Sequence, residues 1–295
     1  FNQPSHQALF PHLIERSALM NAVALTSSIW QSTRVMAPAV AGIIISIFDT
    51  EVSLFVSSLA FLVGFTLMAL VNVPIIAKAE GKGAIQDLLL GARFVLRDAL
   101  FSTLIAMTFF NSFFGMIYLQ LMPVFVVDIL DMGAKAQGFL VSVGGIGALL
   151  GTLVATVLGP FPHRGWLILT GSTLFGGFIF GFGLSGVFVL SLVLIFLASF
   201  FQSIYMISIM TSLQLRVPDE LRGRVMGIYG MTYNLMPMGG MLGGVIASVI
   251  GAPFAVAFGG SAVSGFSILM AIKNRNIRQL GNDLLPIVER KESTE

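Results

Sequence analysis

Apolar runs of membrane length recur along the whole chain, separated by short polar turns. Their limits predict spanning helices at about 20–48, 52–73, 99–127, 137–159, 165–186, 187–214, 224–250 and 252–272. Each is long enough to cross about 30 Å of hydrocarbon at 1.5 Å per residue, which takes roughly 20 residues. Barrel strands would alternate apolar and polar positions over about ten residues, and these runs do not alternate, which sets aside a transmembrane barrel. The pattern changes between the second and third runs. There Ile85, Leu88, Leu89, Ala92, Val95 and Leu96 recur at helical spacing, with Gln86, Asp87, Arg93 and Arg97 between them. An apolar stripe on an otherwise polar helix predicts a segment lying along the cytoplasmic membrane face. Residues 77–83, ahead of it, read as flexible polar linker.

Composition agrees with the pattern. With 56% hydrophobic and 10% charged residues and a mean hydropathy of +0.93, the chain has too few polar groups to cover a soluble globule, so it is an all-α polytopic membrane protein. It has no cysteine, which removes disulfides, thiol catalysis and thiolate metal sites. The net charge of +2 comes from basic residues in short loops rather than in a patch, which argues against nucleic acid as a partner. Those residues fall at every second connection: Arg16; Lys78, Lys82, Arg93 and Arg97; Arg164; Arg216, Arg222 and Arg224; Lys273, Arg275 and Arg278. The intervening connections carry Asp49 and Glu51, then Asp128, Asp131 and Lys135. The positive-inside rule therefore places the basic set and the C-terminal tail in the cytoplasm, in a cell membrane crossed many times.

The first predicted span holds the chain's most demanding residue. Arg34 lies near its middle, where a bare guanidinium costs on the order of 2.5–3.5 kcal/mol, so it should face a protein interior or a water-filled path. Three roles fit: binding an acidic substrate, tuning a coupling carboxylate on another helix, or capping backbone carbonyls. An internal repeat then bears on organisation. Leu13-Ile-Glu-Arg-Ser-Ala-Leu-Met20, followed by two apolar helices, matches Pro218-Asp-Glu-Leu-Arg-Gly-Arg-Val-Met226 and the two helices after it. Four helices precede the second copy. The same repeat logic leads to the expectation that about 100 residues precede Phe1 in a twelve-helix parent. The expected domains are 1–73, the remainder of an N-terminal six-helix half; 74–98, the linker; 99–272, the C-terminal half; and 273–295, the tail.

Several stretches carry a family resemblance: Gln7-Ala-Leu-Phe-Pro11, Ala24-Leu25, Arg34 with Ala37-Pro38-Ala-Val-Ala-Gly42, Ala60-Phe61-Leu62 and the 216–226 loop. The chain resembles the major facilitator superfamily, in its branch of transmembrane secretion effectors that includes enterobactin and macrolide exporters. The resemblance implies a partial major facilitator fold, from the end of helix 4 through helix 12 of twelve. It further implies export of a small hydrophobic or amphipathic compound by alternating access, in exchange for protons, by a monomer in the bilayer without a cofactor. Asp219, Arg222, Gly223 and Arg224 match the family's cytoplasmic loop motif. Pro38 and Gly42 resemble its helix 5 antiporter signature, with Ala37 where glycine is usual. The loop 159–165 keeps Arg164 and lacks the expected Asp.

Read physically, Pro38 with Gly42, and Pro237 with Gly239, Gly240, Gly243 and Gly244, remove a hydrogen bond and allow close approach, so both helices can bend and seal. A kinked packing helix is the plainer reading. For the substrate path the candidates are polar residues within spans: Asn111, Gln120, Gln202, Tyr205, Tyr233 and Asn234. Phe109, Phe110, Phe113 and Phe114 around Asn111 suit a bulky apolar cargo better than a sugar, while a drug, macrolide or siderophore is what the resemblance implies. For any single polar candidate, an interhelical hydrogen bond of about 0.6 kcal/mol explains as much, and a phenylalanine cluster more often faces lipid or packs than binds a ligand. The glycines at 144, 145, 147, 151, 176, 177, 181 and 183 read as tight helix packing. Acidic residues lie only in loops, tails and span ends, so the coupling carboxylate is not in view. No metal-ligand cluster or nucleophile–base pair sits in the spans, which sets aside an enzyme. An importer of a small metabolite and a non-transporting scaffold remain as alternatives.

Overall fold

The computed structural model describes residues 50–70, 84–157 and 163–280. The chain divides into two units, Phe1–Glu80 and Gly81–Glu295. In the first, the described part is helix α1, Thr50–Ala69. Its hydroxyls are returned to its own backbone, Ser58 Oγ donating to the Leu54 carbonyl at 2.9 Å and Thr66 Oγ1 to that of Leu62 at 2.8 Å. Its apolar stretch, Leu54–Leu67, is shorter than those of the helices that can cross a membrane, so the described residues do not show a full span at 52–73. The expected span at 20–48, with Arg34, Pro38 and Gly42, lies outside the described residues, as do the first copy of the repeat at 13–20 and the linker at 77–83.

The second unit opens with α2, Ala84–Arg97, the amphipathic helix that the sequence predicts. Asp98 ends it and caps α3, Ala99–Phe110, its Oδ1 accepting from the backbone N–H of Leu100 at 2.8 Å and of Phe101 at 3.2 Å. A π-helical turn, Asn111–Gly115, follows, and α4, Ile117–Asp128, completes the first span. Then come α5, Ala134–Val157; α6, Arg164–Gly183; α7, Phe188–Arg216; α8, Asp219–Asn234; α9, Met236–Ile250; α10, Ala252–Lys273; and the single turn α11, Arg275–Arg278. Among the described residues, six helical stretches are long and apolar enough to cross a membrane: Ala99–Asp128, Ala134–Ala155, Arg164–Gly183, Phe188–Arg216, Gly223–Ile250 and Ala252–Lys273. They coincide with the six spans expected from residue 99 onward. Gly251, at φ 95°, makes the tight joint between α9 and α10, a backbone conformation that side-chain-bearing residues rarely adopt.

Glycine sets how closely these helices pack. A methyl group on Gly147 would collide with the Phe196 carbonyl and one on Gly151 with that of Phe200, so α5 and α7 touch backbone to backbone. On α6, a methyl on Gly176 would lie 2.5 Å from the Gly260 carbonyl oxygen, and one on Gly183 would lie 2.6 Å from the Ala257 nitrogen of α10. Lipid is as apolar as leucine, so burial of leucine gains little here and close van der Waals contact holds the helices instead. At the α3 end of the bundle, Asn274 joins three elements. Its Oδ1 accepts from the backbone of Asn276 and Ile277, and its Nδ2 donates to Thr103 Oγ1 at 2.6 Å. The Gly165 N–H donates to the Leu280 carbonyl at 3.0 Å, tying the following segment beneath α6.

These contacts yield a stability test. Gly147→Ala and Gly176→Ala are expected to cost about 1–3 kcal/mol each through overpacking, lowering the thermal midpoint of the detergent-solubilised protein. Gly177→Ala, next to Gly176 but facing open space, should leave the midpoint in the same thermal scan no lower, with a gain of up to about 1 kcal/mol.

Candidate functional site

The buried interior of the second unit consists of two apolar cores with a polar layer between them. One core holds Met116, Phe125, Phe175, Phe182 and Ile195; the other holds Phe101, Leu104, Met107, Ile168, Leu213 and Tyr229. Along the first span, buried members of one core stop at Met107 and those of the other begin at Met116; on α6 the corresponding gap runs from Leu169 to Phe175, and on α7 from Ala198 to Tyr205. The gaps contain buried Thr108, Asn111, Ser112, Ser172, Ser199, Gln202 and Ser203. Neutral polar groups thus occupy the middle of the span, where a charge would be far more costly.

Some members of this layer are satisfied. Thr108 Oγ1 donates to the Leu104 carbonyl at 2.9 Å, Ser267 Oγ to Ser172 Oγ at 2.6 Å, and Ser264 Oγ to the Thr173 carbonyl at 2.8 Å. Others are not. Asn111 Nδ2, Ser112 Oγ and Gln202 Oε1 are buried without a hydrogen-bond partner among the described residues, and the buried Tyr205 hydroxyl has the Thr108 side chain beside it. Gln202 Nε2 makes only a weak contact with Met116 Sδ at 3.7 Å. Each orphaned group costs on the order of 1–3 kcal/mol, which an apolar residue of the same shape would avoid.

The π-helical turn lies at this level, and a second interruption meets it. In the Gly223–Ile250 span, α8 ends at Asn234, Leu235 turns at φ −86° and ψ −7°, and α9 begins at Met236. Pro237, in the first turn of α9, has no N–H to continue the ladder of α8. One turn on, a methyl group on Gly239 would strike the carbonyl of Phe113 in the π turn, while one on Gly243 would lie 2.6 Å from Ile117 Cγ2. On the other side, a methyl on Gly259 of α10 would come to 2.5 Å from the Phe114 carbonyl oxygen. Two glycines from different helices therefore cover consecutive carbonyls of the irregular turn.

The residues singled out from sequence fall into separate settings. Asn111, Gln202 and Tyr205 are buried within the six-span unit. Gln120 and Asn234 are exposed on its surface, and Gly240 lies against the Gln120 stem, a methyl there coming to 2.7 Å from Cγ. Tyr233 is half-buried, its hydroxyl 3.0 Å from that of Tyr229. Pro237 is exposed at the break, and a methyl on Gly244 would meet nothing within 4 Å. Of the loop motif, Asp219 and Arg222 lie in the first turns of α8, Gly223 is exposed, and Arg224 is half-buried with its Cβ against Gly91 of α2. The phenylalanines stack among themselves and on α10; the rings of Phe110 and Phe266 are 3.9 Å apart and nearly parallel, and those of Phe109 and Phe113 are 5.3 Å apart. Sequence reading missed Ser112 and the irregular turn itself. The signal available was the adjacent Asn-Ser pair between two Phe pairs, and helical periodicity does not reveal one extra residue in a turn.

Comparisons with known proteins bear on this architecture. The family sequence model described as transmembrane secretion effector matches residues 1–289. The Staphyloferrin A transporter of Staphylococcus aureus (strain NCTC 8325 / PS 47) is 22% identical over 257 residues, which is 84% of this chain and 62% of that protein. The chain therefore spans less than two thirds of this relative's length. Among solved structures, a bacterial homologue of the human lysosomal transporter Spinster, in an inward-facing and unoccupied conformation, superposes with a TM-score of 0.63. That match covers 95% of this chain and 74% of the homologue at 14% identity, a likeness of fold alone. Spanning helices, glycine-packed pairs and a match along nearly the whole length agree: the chain belongs to the transmembrane secretion effector family of the major facilitator superfamily, with part of that superfamily's fold.

Proposed function

We propose that this chain forms part of a secondary active transporter that exports a small hydrophobic or amphipathic compound by alternating access, in exchange for protons. The observation that carries this reading is the meeting of two interrupted spans, the π turn at Asn111–Gly115 and the break at Leu235, across Gly239. Interrupted helices near mid-membrane are where secondary transporters place substrate and bend. Asn111, Gln202 and Tyr205 then serve as polar positions within the moving unit, and Gln120, Tyr233 and Asn234 as its contacts with cargo. Pro237 with Gly239, Gly240, Gly243 and Gly244 forms the bend, with Pro38 and Gly42 as its counterpart in the other half. Arg34 would stand beside the coupling carboxylate there. Phenylalanine on the first span favours an apolar cargo over a sugar. The relative's name, a Staphyloferrin A transporter, favours the siderophore among the cargo classes. In this reading 1–73 belongs to one half, 74–98 links, 99–272 is the second half, and the tail at 273–295 is cytoplasmic, in a monomer of the cell membrane.

Transport by the full-length parent protein, purified and reconstituted in liposomes, tests the reading. With an imposed pH gradient, at least one compound from a panel of lipophilic drugs, macrolides and siderophores should move against its own gradient, and a protonophore should abolish the movement. If the folded parent moves no compound of the panel, a membrane scaffold is left instead. Movement that ignores the pH gradient would remove the proton.

A single substitution separates a role in transport from one in packing. Ser112→Ala deletes a buried hydroxyl without a partner among the described residues, so stability should hold or rise, by up to about 1–3 kcal/mol. Transport should fall all the same. A lowered thermal midpoint would show that the hydroxyl is part of a structural hydrogen-bond network.

A further inference from the structure

The two faces of α2 have different surroundings. Toward the bundle, Gly91 and Val95 are buried; a methyl on Gly91 would lie 3.0 Å from Arg224 Cβ and 3.1 Å from Ile228 Cδ1 of α8. The half-buried Phe94 ring sits 5.1 Å from Phe101 of α3. On the outward side, Leu89 and Leu96 are 62% and 78% exposed, and Arg93 and Arg97 are exposed with them. At 3.6 residues per turn these four share a sector of about 100°. Only Asp98 separates α2 from α3, the first residue of which opens the membrane span. The outward face is therefore held within a turn or so of the level where hydrocarbon gives way to headgroups.

Position and composition together select the occupant. Two leucines facing bulk water bury nothing, and two guanidiniums in hydrocarbon are costly, but at the headgroup boundary each type meets its own solvent. We propose that this face of α2 docks on anionic phospholipid, with Leu89 and Leu96 entering the acyl boundary and Arg93 and Arg97 holding acidic headgroups. The opposite face is clamped on α8, the lower part of the interrupted Gly223–Ile250 span, so the lipid contact bears on the base of that span. Anionic lipid thereby acts as a structural ligand of this unit. The proposal requires only that the chain spans a bilayer, and it stands apart from cargo, direction and proton coupling.

The chain has no cysteine, so single-site labelling reads the face directly. The full chain carrying Leu96→Cys, labelled with a bimane fluorophore, is placed in bilayers of phosphatidylcholine and phosphatidylglycerol in which one or the other lipid is brominated. Brominated phosphatidylglycerol should quench more than brominated phosphatidylcholine at equal mole fraction, the enrichment falling about fivefold for each of Arg93→Gln and Arg97→Gln. Leu150→Cys, exposed on α5, should be quenched alike by both lipids in every variant, which shows the bundle inserted and folded. Equal quenching by the two lipids at Leu96→Cys would overturn the anionic site and leave a plain interfacial helix. Quenching by aqueous iodide alone would place the face in water, and protection from iodide and both lipids would place it against protein; either overturns the proposal.

Discussion

Hydrocarbon offers no hydrogen-bond partners, and every polar group in the bundle has to be met from within the protein. That constraint accounts for the helices themselves and for the serine and threonine hydroxyls folded back onto carbonyls one turn away, as at Ser142, Thr152 and Ser212. It accounts as well for where the helices touch. Without a hydrophobic gain from association, contact depends on close approach, and close approach depends on glycine facing a carbonyl, as Gly147 faces Phe196 and Gly239 faces Phe113.

Against that background the middle of the unit is exceptional. Its two apolar cores are each continuous, and the layer between them carries Asn111, Ser112 and Gln202 with capacity unused. The first span loses regular helical geometry at the same level, and the Gly223–Ile250 span breaks beside it. Apolar cores move as blocks because their packing is dense, while a layer with unmet polar groups gains from exchanging partners. In the proposed function this depth is where the unit flexes. The proposed lipid-binding face of α2 lies opposite the face that rests on the same interrupted span.

How much of this could be read in the sequence depended on the kind of signal. The six spans from residue 99 follow from length and hydropathy alone, and α2 from the stripe of Leu89, Val95 and Leu96. The break near Pro237 follows from the missing N–H. By contrast, Asn111, Gln202 and Tyr205 look alike in sequence to Gln120 and Asn234, yet the first three are buried in the unit and the last two lie on its surface. Which side of a uniformly apolar helix turns inward is set by its neighbours, and a run such as 99–110, apolar on all faces, has no stripe to reveal it. The π turn was illegible for a related reason. It inserts one residue into a turn without changing composition, and its position is fixed by the glycines of α9 and α10 that cover Phe113 and Phe114, more than a hundred residues away in sequence.

Amide hydrogen exchange of the protein reconstituted in lipid tests most directly whether the mid-span layer is the unit's point of compliance. Amides at 108–116 should exchange at least about tenfold faster than those at 100–107 and 117–126, a difference in opening free energy on the order of 1.4 kcal/mol, although they lie deepest in the membrane. Protection at 108–116 equal to or greater than that of both flanks would mean that the span is rigid through its middle, and would contradict the account.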